Sequence, residues 1–254
     1  MNVVPCGPVA LAIVALAFAS VAAGQESCKL APIGNFGVAG IRDGRTLVLA
    51  DGRELRLAGI ATGDAGRAAL EALAAGQMLR LEKLQVENDR YGRLVAFAYA
   101  GEMQTSLQQA MIEQGQARVS SRVGDSVCAE VLLAAERKAR AARRGIWADP
   151  IFAPLRSHHA ARITAVRGQF ALVEGKVLSV RESGSTIYLN FGRRWAQDFT
   201  VTILKRNRRA FAVAGIDPGR LEGQSIRVRG WIEQRTGPMI EAVTPEQIEF
   251  ADRK

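Results

Sequence analysis

Two Asp-Gly pairs, at residues 43–44 and 51–52, impose sharp chain reversals on the first part of the sequence. The second pair is a strong β-hairpin signal, because glycine adopts the positive φ that such turns need. The segments that these pairs separate alternate with a period of two. The pattern therefore predicts three short strands, at Phe36–Arg42, Thr46–Leu49 and Glu54–Ile60.

Longer periodic stretches follow these strands. They predict helices at about Asp64–Ala75, Thr105–Gln114 and Ser126–Arg144, and strands at Met78–Leu84 and Leu94–Tyr99. Asp125 is expected to cap the last helix, and Gly145 is expected at its left-handed C′ position. Residues 30–148 are thus predicted to be a mainly β, α+β domain, a five-stranded barrel with three helices packed on it.

Residues 149–165 have no clear period, and we interpret them as a linker. They contain Pro150 and Pro154 and the adjacent pair His158 and His159. The chain as a whole is 48% hydrophobic and 23% charged, which is ordinary for globular domains. Its net charge of +9 is uneven, because 17 Lys and Arg oppose only 10 Asp and Glu after residue 150. This basic balance points to an anionic partner such as nucleic acid or a membrane surface.

Residues 166–251 are predicted to be a second β domain. Five candidate strands lie at about Phe170–Val180, Thr186–Phe191, Phe199–Leu204, Ser225–Ile232 and Met239–Ala242. The segments from Gly175 to Val180 and from Ile187 to Gly192 resemble a pattern of OB-like domains in exported bacterial proteins. The resemblance implies an OB-like β-barrel, a fold that commonly binds single strands across one face.

The N-terminus has the pattern of a targeting segment. No charged side chain occurs before Glu26, and Val9–Ala23 is an almost unbroken run of small and apolar residues. This run is shorter than the roughly 20 residues of a transmembrane helix and ends in a small-residue cleavage context. We predict a signal peptide at residues 1–23, export to the periplasm or the medium, and no transmembrane segment in the mature chain. A retained membrane anchor is the alternative, because the first residues carry no Lys or Arg.

Removal of the signal peptide leaves two cysteines, Cys28 and Cys128. Export to an oxidising compartment makes a disulfide between them our prediction. The alternative is a pair of buried free thiols, because sequence does not show whether the two Cα atoms come within bonding range.

Several ordered motifs resemble the thermonuclease family, whose domain is the staphylococcal-nuclease-like fold. The strongest is Asp89-Arg90-Tyr91-Gly92-Arg93-Leu94, and the others are Asp43-Gly44-Arg45-Thr46-Leu47, Leu55-Arg56-Leu57-Ala58-Gly59-Ile60, Ala135-Glu136 and Gly145-Ile146-Trp147. The resemblance spans about residues 35–148. It implies calcium-dependent hydrolysis of DNA and RNA, with two arginines that stabilise charge on phosphorus and a glutamate that assists the attacking water.

The family residues carry over only in part. Arg56 and Arg93 stand at the positions of the catalytic arginines, Tyr91 at that of a tyrosine near the bound phosphate, and Asp64 at that of the glutamate base. The two ligand aspartates of the family are Arg45 and Ala61 here. A cation at a ligand position repels calcium, and the shorter Asp64 has to lie within about 3 Å of its water to act as a base. We therefore expect the calcium site to be lost, with no cofactor.

Arg45, Arg56 and Arg93, with Tyr91, are our candidate phosphate-binding residues. If the barrel is preserved, the three guanidinium groups point into one pocket, and Arg45 takes roughly the place of the lost metal. The alternative is that Arg45 lies on a surface turn and extends into solvent.

A second candidate surface lies in the C-terminal domain, where basic residues occur beside Trp195, Tyr188 and Phe191. Cations mixed with aromatic rings are typical of single-strand binding surfaces. The candidate nucleic-acid-binding residues are Arg193, Arg194, Trp195, Lys205, Arg206, Arg208 and Arg209. The alternative is that the rings belong to the core and the cations only solvate a strand edge.

Three functions follow from these patterns. The first is binding of nucleic acid or another phosphate polyanion by a nuclease-like fold with a degenerate calcium site. The second is an active phosphodiesterase that uses Asp64, Arg56 and Arg93 with altered metal use. The third is an envelope interaction module whose partner is an unidentified protein.

Overall fold

The first half of the chain closes into a five-stranded barrel. The computed structural model describes Cys28 and residues 30–83 and 88–251, so the predicted signal peptide and Leu84 lie outside the described residues. The barrel strands run in the spatial order β1-β2-β3-β6-β5, and their bounds are β1 Ala31–Asp43, β2 Thr46–Leu49, β3 Glu54–Leu57, β5 Met78–Lys83 and β6 Leu94–Ala100. β3 and β6 are parallel, and the other neighbouring pairs are antiparallel.

The predicted strand Glu54–Ile60 is in fact two strands in different sheets. The chain turns at Gly59, whose φ is +74°. Ile60–Thr62 then forms β4, which pairs with β7 at Ala117–Val119 outside the barrel. The apolar alternation shifts by one position here, from Leu55 and Leu57 to Ala58 and Ile60, and the predicted single strand overlooked this shift.

Three helices cover the barrel, as predicted, and their bounds are α1 Gly66–Ala74, α2 Leu107–Glu113 and α3 Ser126–Ala141. The Asp125 side chain caps α3 by accepting a hydrogen bond from the Cys128 amide at 2.8 Å. The core between barrel and helices is built from leucine side chains of β2, β3, β5 and α3.

The expected role of Gly145 at the end of α3 was wrong. The left-handed C′ residue is Arg143, with a φ of +50°. The Arg144 amide donates to the Ala139 carbonyl in the hydrogen-bond pattern of a helix end of this type. Gly145, which also has a positive φ, serves a close backbone approach instead, because a Cβ there would lie 2.3 Å from the Gly115 carbonyl oxygen.

The second half contains two sheets of described strands. The spatial orders are β10-β11-β12-β15-β14 and β16-β13-β9-β8. Their bounds are β8 Leu155–Arg156, β9 Phe170–Lys176, β10 Ser179–Ser183, β11 Thr186–Asn190, β12 Thr200–Leu204, β13 Ser225–Trp231, β14 Glu233–Gln234, β15 Pro238–Glu241 and β16 Ile248–Phe250. The predicted strand Phe170–Val180 is thus split into β9 and β10.

The two sheets share two bent chain segments. β9 passes into β10 through Val177 and Leu178, and β13 passes into β14 through Ile232. If each bent segment is counted as one strand, β12 is the third strand along the chain and β15 the fifth. β12 is parallel to β15, and β9 is antiparallel to β13. These pairings repeat those of the first barrel, where β3 is parallel to β6 and β1 is antiparallel to β5. The arrangement is consistent with the predicted OB-like barrel.

Residues 149–165, which we interpreted as a linker, contain regular structure. A short 3-10 turn lies at Pro150–Phe152, and α4 lies at Ala160–Ala165. Between them β8 adds a parallel strand to β9. A further helix of the second half, α5, lies at Arg208–Val213.

A buried ion-pair network joins the two halves. Arg229 of β13 is 1% exposed, and its guanidinium contacts Glu136 of α3 at 3.0 Å and also Glu249 of β16. It donates a further hydrogen bond to the Val119 carbonyl at 3.1 Å. Arg140 of α3 completes the network, at 2.7 Å from Glu136 and 3.2 Å from Glu249.

Glu249 is held in its charged form within this network. Burial raises the pKa of its carboxyl, but attraction to Arg229 and Arg140 outweighs burial and lowers this pKa to about 2. A carboxyl whose pKa is lowered by folding stabilises the fold above its ordinary pKa. This contribution is lost progressively as the pH falls from that ordinary value to about 2.

A disulfide joins Cys28 to Cys128 at the start of α3, the pairing that we predicted from export, with a Cα–Cα distance of 4.6 Å. It closes a loop over a sequence separation of 100. Among the described residues, no helix is both long and apolar enough to span a membrane.

Candidate functional site

Arg45 lies in the turn between β1 and β2 and is directed toward β4. Its backbone amide donates to the Asp43 carboxylate at 2.8 Å, which fixes the turn. Its guanidinium Nη1 donates to the Ile60 carbonyl at 3.1 Å. The turn packs tightly, because a Cβ at Gly44 would lie 2.5 Å from the Thr62 hydroxyl. Arg45 is half-buried as a result.

Arg56 is placed beside Arg45 by the register of the barrel. It lies on β3, opposite Thr46 on β2 and Val95 on β6. Burial lowers the pKa of the Arg56 guanidinium, and the nearby charge of Arg93 lowers it further. Burial and the charges of Arg56 and Arg93 likewise lower the pKa of Arg45. The three guanidinium groups therefore lie close enough for their charges to act on one another.

Asp43 and Asp89 partly oppose this accumulation of positive charge. Asp43 raises the pKa of both Arg45 and Arg56, and Asp89 raises that of Arg56. The two acids do not cancel the positive charge of the three arginines, since the pKa of Arg45 and of Arg56 remains lowered overall.

Arg93 is held in place by Asp89. The Asp89 carboxylate accepts hydrogen bonds from the backbone amides of Tyr91 and Arg93 at 2.9 and 3.1 Å. It also accepts from the Arg93 guanidinium, at 2.8 Å to Nε and 2.7 Å to Nη2. Gly92 allows this tight loop through a φ of +77°. The loop thereby orients the Arg93 guanidinium at the start of β6.

Tyr91 extends from the same loop into solvent, with 65% of its surface exposed. The guanidinium carbons of Arg90 and Arg93 lie 4.7 and 5.0 Å from the centre of its ring. The Arg90 side chain also hydrogen-bonds to the Tyr91 hydroxyl at 2.5 Å. The ring and the two cations form one edge, on which Tyr91 and Arg90 are exposed and Arg93 is half-buried.

Asp64, the candidate base, makes no hydrogen bond or ion pair with Tyr91 or with the arginines beside it. It precedes α1, is exposed, and its carboxylate makes no hydrogen bond or ion pair with the described part of the chain. It is also absent from the charges that shift the pKa of Arg45 and Arg56.

The five-stranded sheet of the second half carries a groove of about 850 Å³. Its floor consists of alternate residues of β10, β11, β12 and β15, because every second side chain of a strand faces the same side. Tyr188 lies on this floor, and Trp195 borders it from the loop after β11. Arg181, Arg193 and Arg235 contribute the positive charges.

The predicted binding residues divide into three groups around this groove. Arg193 and Trp195 line it. Lys205 and Arg208 instead form ion pairs with Glu182, at 3.1 and 2.9 Å, and Glu182 does not line the groove. The remaining predicted residues, Arg194, Arg206 and Arg209, are exposed outside the groove lining.

Sequence reasoning missed Arg181 and Arg235 as groove residues. Arg181 alternates with Ser179 and Ser183, so the period of two already placed it on the same face as these polar side chains. Phe191 was grouped with Trp195 but is buried in the core against Phe199. Phe191 itself does not line the groove, whereas the residues on either side of it, Asn190 and Gly192, do.

Comparison with known proteins identifies one part of the chain. Residues 59–149 match the family model described as Staphylococcal nuclease homologue. The match includes Asp64, Tyr91 and Arg93, whereas Arg45, in the turn between β1 and β2, and Arg56, on β3, precede it. No curated protein matches the chain.

Proposed function

We propose that the protein binds nucleic acid, or another phosphate polyanion, through an arginine cluster on the closed barrel, because residues 59–149, which include two strands of that barrel, match the staphylococcal nuclease family. The arginine cluster consists of Arg45, Arg56 and Arg93, with Tyr91 at its edge.

The mutual repulsion of three half-buried guanidinium groups carries this proposal. Burial and neighbouring cations lower the pKa of Arg45 and Arg56, so their charged forms lack full compensation from the protein. A phosphate supplies the missing negative charge, and its oxygens match the planar fork of a guanidinium. Arg93 is already oriented by Asp89, which reduces the ordering needed when a phosphate binds.

The residues around the cluster do not fit a calcium ion. Calcium takes about six to eight oxygen ligands, mainly from carboxylates. The resemblance places ligand aspartates at positions that hold Arg45 and Ala61 here, and Asp89 is already engaged by Arg93. Within residues 28, 30–83 and 88–251, no three or more His, Cys, Asp and Glu side chains are grouped as metal ligands. We therefore propose a degenerate calcium site and derive no catalytic step through a metal.

Export is part of the same proposal. The disulfide between Cys28 and Cys128 supports an oxidising compartment, because such bonds are rare in the cytosol. We place the mature protein in the periplasm or outside the cell, where polyanions released from cells are available to it.

Replacing Arg56 and Arg93 together with alanine is expected to weaken polyanion binding at least tenfold, since each hydrogen bond to a charged group contributes about 1.5–3 kcal/mol. The measurement is calorimetric titration of the full chain with inorganic polyphosphate. This ligand has no bases, so stacking on aromatic residues does not contribute to the result.

The matched control removes two exposed arginines of the same half, Arg53→Ala with Arg67→Ala. Its binding should stay within about threefold of the parent chain. Equal losses in both double variants would refute a localised site. Affinity that does not change between low and high salt would favour the protein-partner function, because true phosphate contacts weaken as salt rises.

The second expectation is that the full chain does not hydrolyse denatured DNA or RNA in calcium, magnesium, manganese or EDTA. The reason is that Asp64 is exposed and makes no hydrogen bond or ion pair with the arginines of the cluster. The assay follows acid-soluble nucleotide release, with Asp64→Ala run in parallel. Cleavage that Asp64→Ala abolishes would establish the phosphodiesterase alternative in place of a binding protein.

A further inference from the structure

We propose that the groove on the five-stranded sheet of the second half binds single-stranded nucleic acid, with bases stacked on Trp195 and Tyr188 and phosphates held by Arg181, Arg193 and Arg235. This inference takes the class of ligand from the proposed function, but it concerns a different surface and different residues.

The charges of the groove select an anion. Arg181, Arg193 and Arg235 make no side-chain hydrogen bond or ion pair with the described residues. The neighbouring cations outside the groove are already compensated, since Lys205 and Arg208 pair with Glu182. Glu241 is the single acidic residue among the described residues that line the groove. The unpaired positive charges of this part of the surface are thus those that line the groove.

The aromatic residues select bases. Trp195 is 65% exposed at the border of the groove, although burial of such a side chain is strongly favoured. Tyr188 lies on the floor, half-buried between strands. An unstacked base covers such rings with a flat surface of matching size, which a sugar phosphate alone does not offer. Bases in a duplex are already stacked on each other, so the groove favours single strands.

The loop that carries Arg193 and Trp195 is held in its conformation before any ligand binds. The Asp198 carboxylate accepts a hydrogen bond from the Arg194 amide at 2.8 Å, and the Asp198 amide donates to the Arg194 carbonyl at 2.8 Å. Gly192 is required by this arrangement, because a Cβ there would lie 2.1 Å from the Asp198 carboxylate.

The turn that carries Arg235 packs against the same loop. A Cβ at Gly237 would lie 2.8 Å from the Asp198 carbonyl oxygen. The two segments that border the groove therefore support each other, and Arg235 and Arg193 are kept at the same groove. A preordered surface loses less entropy on binding than two free loops.

Replacing Trp195 with alanine is expected to weaken binding of a fluorescein-labelled 15-mer of thymidylate by about 5- to 150-fold, the range that one lost stacking contact produces. Anisotropy is measured with the full chain over a series of salt concentrations. The double variant Arg193→Ala with Arg235→Ala should reduce the slope of log affinity against log salt by about 1.4, since each phosphate contact to a single strand contributes about 0.7.

Two controls separate this inference from the proposed function. Arg206→Ala with Arg209→Ala removes the same charge outside the groove and should leave the slope unchanged. In a chain that carries Arg56→Ala and Arg93→Ala, Trp195→Ala should weaken 15-mer binding by the same factor as in the parent chain. This should hold even where the two arginine substitutions abolish polyphosphate binding. The inference is overturned if the parent chain does not bind the 15-mer, if a duplex competes equally well, or if the groove variants bind like their control.

Discussion

Replacement of Arg229 by methionine is expected to lower the free energy of unfolding by about 3–5 kcal/mol, a large part of the stability of a protein of this size. The substitution keeps much of the side-chain volume but leaves the buried carboxylates of Glu136 and Glu249 without their main partner. An unpaired buried charge carries its full desolvation penalty. The measurement is urea unfolding of the full chain followed by circular dichroism.

The neighbouring Arg227 provides the matched control. It lies on the same strand and pairs with Glu174, but both side chains are partly exposed, so Arg227→Met should cost only about 1 kcal/mol or less. A second variant tests the cause, because adding Glu136→Gln and Glu249→Gln to Arg229→Met should recover part of the lost stability. Equal costs for the two methionine variants would mean that the buried network does not stabilise the contact between the halves.

Removal of the disulfide is expected to have a similar effect. Cys28→Ser with Cys128→Ser frees a loop of sequence separation 100, and the chain-entropy estimate for such a loop is about 4–5 kcal/mol. Urea unfolding of both proteins gives the difference, with Cys6→Ser in each chain so that no third thiol interferes.

Reductant supplies the control for this pair. It should destabilise the disulfide-bonded protein by a similar amount and leave the serine variant unchanged. A loss below about 1 kcal/mol in the serine variant would indicate that the bond constrains the unfolded chain little. The start of the described chain would then be held chiefly by its pairing between β1 and β5.

The interface between the halves joins residues that are far apart in the sequence. Arg229 and Glu136 are separated by 93 positions along the chain, yet they form a bidentate pair in the interior. The Val123 amide and the Glu246 carboxylate, 123 positions apart, add a 3.0 Å hydrogen bond across the same interface. These contacts hold the arginine cluster and the groove on halves that are packed together, so the two proposed binding surfaces keep a fixed position relative to each other.

Much of the first barrel was predictable because its signals are local. The second Asp-Gly pair fixes a hairpin through the positive φ of Gly52, and β2 has the predicted bounds. Asp125 caps α3 as expected, because a cap depends only on the residues next to it. Errors arose where local patterns were ambiguous, as around Gly59, where a one-position shift of the apolar alternation marks the passage from one sheet to another.

Local patterns also identified the basic residues but did not determine which of them are free. Lys205 and Arg208 look like binding residues in the sequence, yet folding places them against Glu182. The sequence did not predict that Arg181 and Arg235 lie together, because 54 positions separate them. Folding brings both to one groove. Secondary structure follows from neighbours in the chain, whereas the pairing of charges depends on which distant segments cross, and only the folded structure sets that.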